Sequence, residues 1–174
     1  MNKMISASLL SLFLMTTPSL AAMPASADKA DAPMNVDKAS FVKVVTSSNV
    51  FEIESSKLAE QKAKDADVKE FAAVMIKDHT MAAEELKKAA KLDDAPPKLS
   101  PKHAAMLDLL KGASEQDFQP LYIEMQTTAH MEAVTLFAIY AKGGDEEAVK
   151  AFAAETLPKL ETHKMHVMHL VAAH

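Results

Sequence analysis

Four ionisable residues in this sequence fall on the inner stripes of four different helical segments: Glu52, His79, His130 and His163. A carboxylate and two or three imidazoles meeting in a protein interior form a ligand set that suits zinc, copper, nickel or iron. The alternative is that each is buried singly against a hydroxyl such as Ser48, Ser55, Thr127 or Thr156, or lies at the stripe edge in water. Counting from the expected turns bears on the choice. Glu52 is 13 residues before Asp65, His79 is 13 after Ala66, and His130 is 13 before Gly143. At ~1.5 Å rise per residue these three are expected at one level, roughly 20 Å above one end of a bundle. His163, 19 residues after Gly144, is expected about 9 Å higher by the same rise, unless a bend at Pro158 changes its height.

A second grouping of soft ligands closes the chain, with His163, Met165, His166, Met168, His169 and His174. Thioether and imidazole donors together favour copper, especially the reduced ion. Met filling core gaps and His solvating a last helical turn account for the same residues. Other chemistries are excluded by composition. The 174 residues contain no Cys, and all 19 basic side chains are Lys, so thiolate sites and bidentate guanidinium clamps are absent. Three Gly, at 112, 143 and 144, cannot build a phosphate-cradling loop. A net charge of -5 disfavours nucleic acid and anionic membrane surfaces as partners. No nucleophile elbow or oxyanion loop occurs, and no His has Glu three positions before it, as a carboxylate-bridged di-iron bundle requires. The sequence reads as a binding protein rather than an enzyme.

The elements that position these residues are helical. With 49% hydrophobic but 5% aromatic residues, the composition disfavours sheet and supports one all-α domain. A helix over about 37–64 is expected from the stripe Phe41, Val45, Ser48, Glu52, Ser55, Ala59, and a second over about 66–92 from Val68, Ala72, Met75, His79, Ala82, Leu86. Ser100 and Pro101 open a short connector helix. A third long helix runs to Lys142 with Ile123, His130, Val134, Phe137 and Ala141 inward, and Gly143 and Gly144 stop it. The fourth carries Val149, Phe152, Thr156, Leu160, His163, Val167 and Leu170 on one face. An up-down-up-down four-helix bundle over 37–174 is the economical solution, its connector crossing one end.

Ahead of it, Lys3 and the 12-residue apolar run Met4–Met15 read as a signal peptide over 1–27, too short to span a bilayer as a helix. Two small-x-small sites end at Ala21 and Ala27, with cleavage expected after Ala27, and residues 28–36 form a flexible lead-in. The expected location is the periplasm, or attachment at the outer membrane, with no transmembrane span in the mature chain.

Phe41-Val42, Glu52-Ile53-Glu54, Val68-Lys69-Glu70-Phe71-Ala72, Met75-Ile76-Lys77-Asp78-His79, Tyr122 with His130, and Phe152-Ala153-Ala154-Glu155-Thr156-Leu157-Pro158 leading to His163 carry a resemblance. Over roughly 38–171 the chain resembles the exported bacterial family named domain of unknown function 4142, whose members are labelled outer-membrane proteins and grouped with ferritin-like bundles. The resemblance implies a ferritin-like fold and export, and it places the family's recurring polar positions on Glu52, His79, His130 and His163. Ala129 departs from it, since the family often carries Asp there, a partner for the following His. The segment Met75–Met81 is also similar to the Met-Ile-x-His-His pattern of exported copper-handling bundles, with one His here. Two functions follow as expectations: a metal-binding bundle for metal handling or envelope stress tolerance, with zinc, copper or iron as cofactor, or a structural envelope protein that packs against a partner or itself, its polar layer setting helix register.

Overall fold

The computed structural model describes residues 36–174. The expected signal peptide, both cleavage sites and the lead-in up to residue 35 lie outside the described residues. The rest is helical: α1 (Lys38–Lys62), α2 (Ala66–Ala90), α3 (Pro101–Gly112), α4 (Phe118–Gly143) and α5 (Glu147–Ala173).

Local chemistry sets the ends. The Asp37 carboxylate accepts from Ser40 N at 2.8 Å at the start of α1, and Ser100 Oγ accepts from His103 N at 3.2 Å with Pro101 in the first turn of α3. These side chains satisfy amide groups that a helix start leaves without partners. Glu146 caps α5 the same way through Val149 N. α2 ends where Lys91 turns left-handed (φ 55) and its N–H returns to Lys87 O and Lys88 O. Pro158 lies within α5, which continues through it.

The directions of the helices differ from the expected up-down-up-down order. Gln119, at the start of α4, receives the Lys64 and Asp65 amides on its Oε1 at 3.1 Å each, so α4 begins at the α1–α2 turn. α5 ends there too, with His174 against Asp65 and Asp67 at 3.2 and 3.0 Å. α2 and α4 therefore both run away from this end, while α1 and α5 run toward it. The connector causes this. Rather than crossing one end, α3 returns along α1: its His103 meets Ser47 at 2.6 Å and its Lys111 carbonyl meets Lys62 at 3.0 Å. The chain thus arrives at the opposite end before α4 begins. α1 packs on α2 and α4, α5 packs on the same two helices, and every one of these neighbours is antiparallel.

The apolar interior forms two clusters. One holds Phe51, Phe71, Phe118, Tyr122, Val167 and Leu170 toward the α1–α2 turn. The other holds Phe41, Leu86, Phe137, Tyr140, Phe152 and Leu160 toward the α4–α5 turn, with the Phe41 and Tyr140 rings stacked at 4.1 Å. Along α2, α4 and α5, the residues between these clusters are His79, His130 and His163.

Two glycines separate backbone packing from mere helix ending. A Cβ at Gly144 would lie 2.5 Å from Tyr140 Cε1 and 2.7 Å from the Tyr140 carbonyl oxygen, whereas one at Gly112 meets nothing within 4 Å. Gly144→Ala should lower stability by about 1–3 kcal/mol, and Gly112→Ala should raise or preserve it, by up to about 1 kcal/mol. Urea unfolding of the two variants checks the contrast, and equal effects would contradict it.

Candidate metal centre

α1 is the polar wall of the interior. Its buried residues include Ser47, Asn49, Glu52, Ser55 and Ser56, and four of them address other helices. Ser47 meets His103 of α3, Asn49 meets His79 of α2, and Ser55 and Ser56 meet Gln126 and Tyr122 of α4. Such groups are buried at a cost unless they find partners, and α1 is covered by α3 as well as by α2 and α4.

Three imidazoles converge at mid-height. His79 (α2), His130 (α4) and His163 (α5) are 5%, 1% and 4% exposed, with ring centroids 5.7, 5.7 and 5.5 Å apart. One ring nitrogen from each lies within 4.8 Å of the other two. Each ring is held by its remaining nitrogen. His79 Nδ1–H donates to the Asn49 amide oxygen at 2.9 Å. His130 Nδ1–H donates to the Gln126 carbonyl at 2.9 Å, and His163 Nε2–H to the Asp78 carboxylate at 2.9 Å. Since an amide or carboxylate oxygen accepts only, these bonds fix where each proton sits and leave a lone pair on His79 Nε2, His130 Nε2 and His163 Nδ1. None of those three nitrogens has a hydrogen-bond partner.

Burial keeps the rings neutral. Desolvation pushes His130 down to about 4. His79 falls well below its ordinary value through desolvation, reinforced by His130 and His163. Desolvation also lowers His163, against the opposing pull of Asp78. Partial burial pushes the Asp78 carboxyl up, but His163 and Lys159 together hold it below its usual range, so it stands ionised behind a neutral imidazole. Lone pairs of neutral imidazoles, each ring fixed by a hydrogen bond from its other nitrogen, are the form in which His ligates a metal.

Of the residues singled out by pattern, the structure brings the three His together and leaves Glu52 outside their group. Glu52 is 10 residues before the end of α1, where Asn49 is 13, matching the 13 from Ala66 to His79. Asn49 therefore takes the level expected for Glu52, which lies nearer the α1–α2 turn beside Ser55 and Gln126. His163 meets the others rather than standing 9 Å above them. α5 starts at Glu147, so His163 is 16 residues into it, which removes about 4.5 Å of the expected offset. Asn49, Asp78 and Gln126 escaped the pattern. Asp78 lies one position off the inner stripe, though its adjacency to His79 was a signal. Thr127 and Thr156 bond carbonyls of their own helices, not the histidines.

The C-terminal soft ligands are spread out. His166 packs its edge on Phe71 at 5.0 Å, Met165 and Met168 are 62% and 54% exposed, and His174 pairs with Asp65 and Asp67. Ala129 lacks a carboxylate for the neighbouring His130, whose Nδ1 uses the Gln126 carbonyl instead.

A family model described as a domain of unknown function, DUF4142, matches residues 23–170. No curated protein and no solved structure matches the chain. No described helix is long and apolar enough to cross a membrane.

The buried Glu52 gives a pH signature. Desolvation raises its carboxyl from 4.5 to about 8, against the Gln126 amide, which favours the ionised form. Its contribution is fully present below pH 4.5 and is lost as pH rises through about 8, because over that window the unfolded chain ionises and the folded one does not. Unfolding free energy of the metal-free protein, measured in urea from pH 4.5 to 8.5, should therefore carry a declining component that Glu52→Gln removes. A pH profile identical in the two proteins would refute this.

Proposed function

We propose that this chain, which belongs to the DUF4142 family over residues 23–170, binds one transition-metal ion through His79, His130 and His163 inside a ferritin-like bundle. The observation that carries this reading is the placement of unsatisfied groups. Among the described residues, all six buried side-chain nitrogen or oxygen atoms without a partner belong to the histidine layer and the polar layer next to it: those of Asn49, Glu52, His79, Gln126, His130 and His163. A buried polar atom without a partner costs about 1–3 kcal/mol. Three of these atoms are imidazole lone pairs from different helices that lie close together, and a cation among them would satisfy all three at once.

The donor set narrows the ion. Three imidazole nitrogens suit zinc, copper, nickel or iron rather than calcium or magnesium, and copper and zinc bind such sites more tightly than ferrous iron. Three protein ligands also leave a coordination position for a further donor. Asn49, the Gln126 carbonyl and Asp78 would orient the rings, with ionised Asp78 strengthening His163 as a donor. Glu52, in the adjoining layer, would supply compensating negative charge rather than a ligand. The bound ion would act as a Lewis acid; the protein's part is to hold it in a buried interior.

Ferritin-like describes the topology in this proposal: two antiparallel pairs, α1 with α2 and α4 with α5, joined by one long connection. We place the protein in the bacterial envelope, exported on the leader read in residues 1–27, where it serves metal handling or stress tolerance by binding without turnover.

The test is metal content. Mature protein purified without a His tag should carry, or take up, one zinc or copper ion per chain by elemental analysis. Ion present at 100 times its Kd should stabilise the fold by about 2.7 kcal/mol, raising Tm by several degrees. His130→Ala should abolish the rise, and Asp78→Asn should weaken binding about 10–100-fold. A protein that takes up no ion and gains no Tm from zinc, copper or iron would overturn the reading.

A further inference from the structure

A cavity of about 140 Å³ lies against the histidine layer on its α4–α5-turn side. Helices α1, α2, α4 and α5 supply its walls, with Val45, Leu136, Phe137 and Leu160 among its apolar residues. Its space exists because small residues stand where larger ones would fill it: Ala82 on α2, and Ala129 and Ala133 on α4. His79 and Asn49 line its inner part. Each carries a buried nitrogen without a partner, His79 Nε2 and Asn49 Nδ2. The first is a lone pair and the second a donor, so two of the residues that line this chamber each hold an unspent polar atom.

The cavity also has an outer side. Val44, His103 and Glu132 line both the chamber and a surface groove that includes Ser40, Lys43 and Lys102. Lys102 of α3 reaches the Glu132 carboxylate of α4 at 2.7 Å over this region, and both side chains are about half exposed (51% and 55%). An exposed pair of this kind contributes little stability and parts readily.

We propose that this cavity is a binding pocket for a small neutral molecule with an apolar body about the size of a six-membered ring and one lone-pair atom, entering past His103 and the Lys102–Glu132 pair. Its size matches: an apolar cavity of ~150 Å³ accepts benzene. Against Val45, Leu136, Phe137 and Leu160 a charged guest would lose its hydration, which disfavours it there. The inner end selects a lone pair, which the Asn49 amide can meet with an N–H, or which can fill the open position of a metal held by His79 and its partners. That last contact rests on the metal reading, whereas the pocket itself does not.

Benzene and pyridine share shape and differ by one lone pair, which makes them the probes. Metal-free protein at pH 7.5 should show saturable amide shifts in NMR with either compound, concentrated at residues 45, 82, 133, 137 and 160, with pyridine bound several-fold tighter through its one extra hydrogen bond. Ala133→Leu should remove both titrations while holding or raising Tm, and Ala82→Leu on the facing helix should do the same. Zinc-loaded protein should bind pyridine at least tenfold tighter than metal-free protein and benzene no differently. Shifts that stay linear and scattered for both probes, or that survive both leucine variants, would overturn the pocket. Equal pyridine affinity with and without bound zinc would overturn its service to the metal. Should no ion load, the metal reading fails by itself, and the metal-free titrations still decide the pocket.

Discussion

Three buried imidazole nitrogens left without partners beside one another are the constraint around which this structure is arranged. Neutral imidazoles can be buried, but each offers a donor and an acceptor, and both must be answered. The fold answers the donors with Asn49, the Gln126 carbonyl and Asp78, three acceptors of different chemistry on three helices. Those bonds cannot also satisfy the acceptor nitrogens, which are left without partners. Elsewhere among the described residues, buried side-chain donors and acceptors are paired. The deficit is therefore local, and it coincides with the place where four helices meet.

Keeping that layer in place is work for the two apolar clusters on either side of it. Polar layers weaken a bundle unless the packing around them fixes their geometry. Here the Phe71 ring lies edge-on to His130 at 6.2 Å from one cluster, while Leu160 on α5 belongs to the other. With no cysteine for a crosslink, these clusters supply the main hold on the histidines. The returning connector adds to it. Ser47 Oγ accepts from the Ser100 amide at 2.7 Å and meets His103 at 2.6 Å, while Phe51 stacks on His103 at 5.4 Å. α1 is thereby gripped from outside at the level where it carries Asn49 inward.

The helices and their inner faces were legible in the sequence because the signals are local. Cap residues, prolines and a 3.6-residue period act within a turn or two, and α5 shows its whole expected stripe buried. Helix direction was not legible. Whether a connector crosses one end or returns along the bundle depends on contacts between residues about 50 positions apart, such as Ser47 with His103. The level expected for His130 nonetheless agrees with the structure, for a reason unrelated to topology: it lies near the middle of the 26-residue α4, so counting from either end gives nearly the same height. Glu52 shows the opposite case. α1 ends at Lys62, three residues before Asp65, and an offset of three residues is almost one turn, enough to exchange Glu52 for Asn49.

That exchange matters for what kind of centre this chain can build. A carboxylate among the ligands would bring negative charge to the ion and harden the site toward iron or manganese, whereas three neutral imidazoles leave a dication's charge intact. An uncompensated dication in a low-dielectric interior is costly, so nearby anions would have to share the burden of one bound as proposed. Asp78 is one, ionised and bonded to His163. Glu52, in the adjoining layer, is the other, and without an ion its burial favours the neutral acid up to about pH 8. A cation held by the histidines would favour its ionised form, so ion uptake and proton release from Glu52 are coupled by the same Coulomb term. Affinity for an ion held in the proposed way would rise with pH up to about 8, even though the histidines themselves are already deprotonated there. Glu52, one layer removed from the rings, would thus set how tightly the proposed three-histidine centre holds an ion.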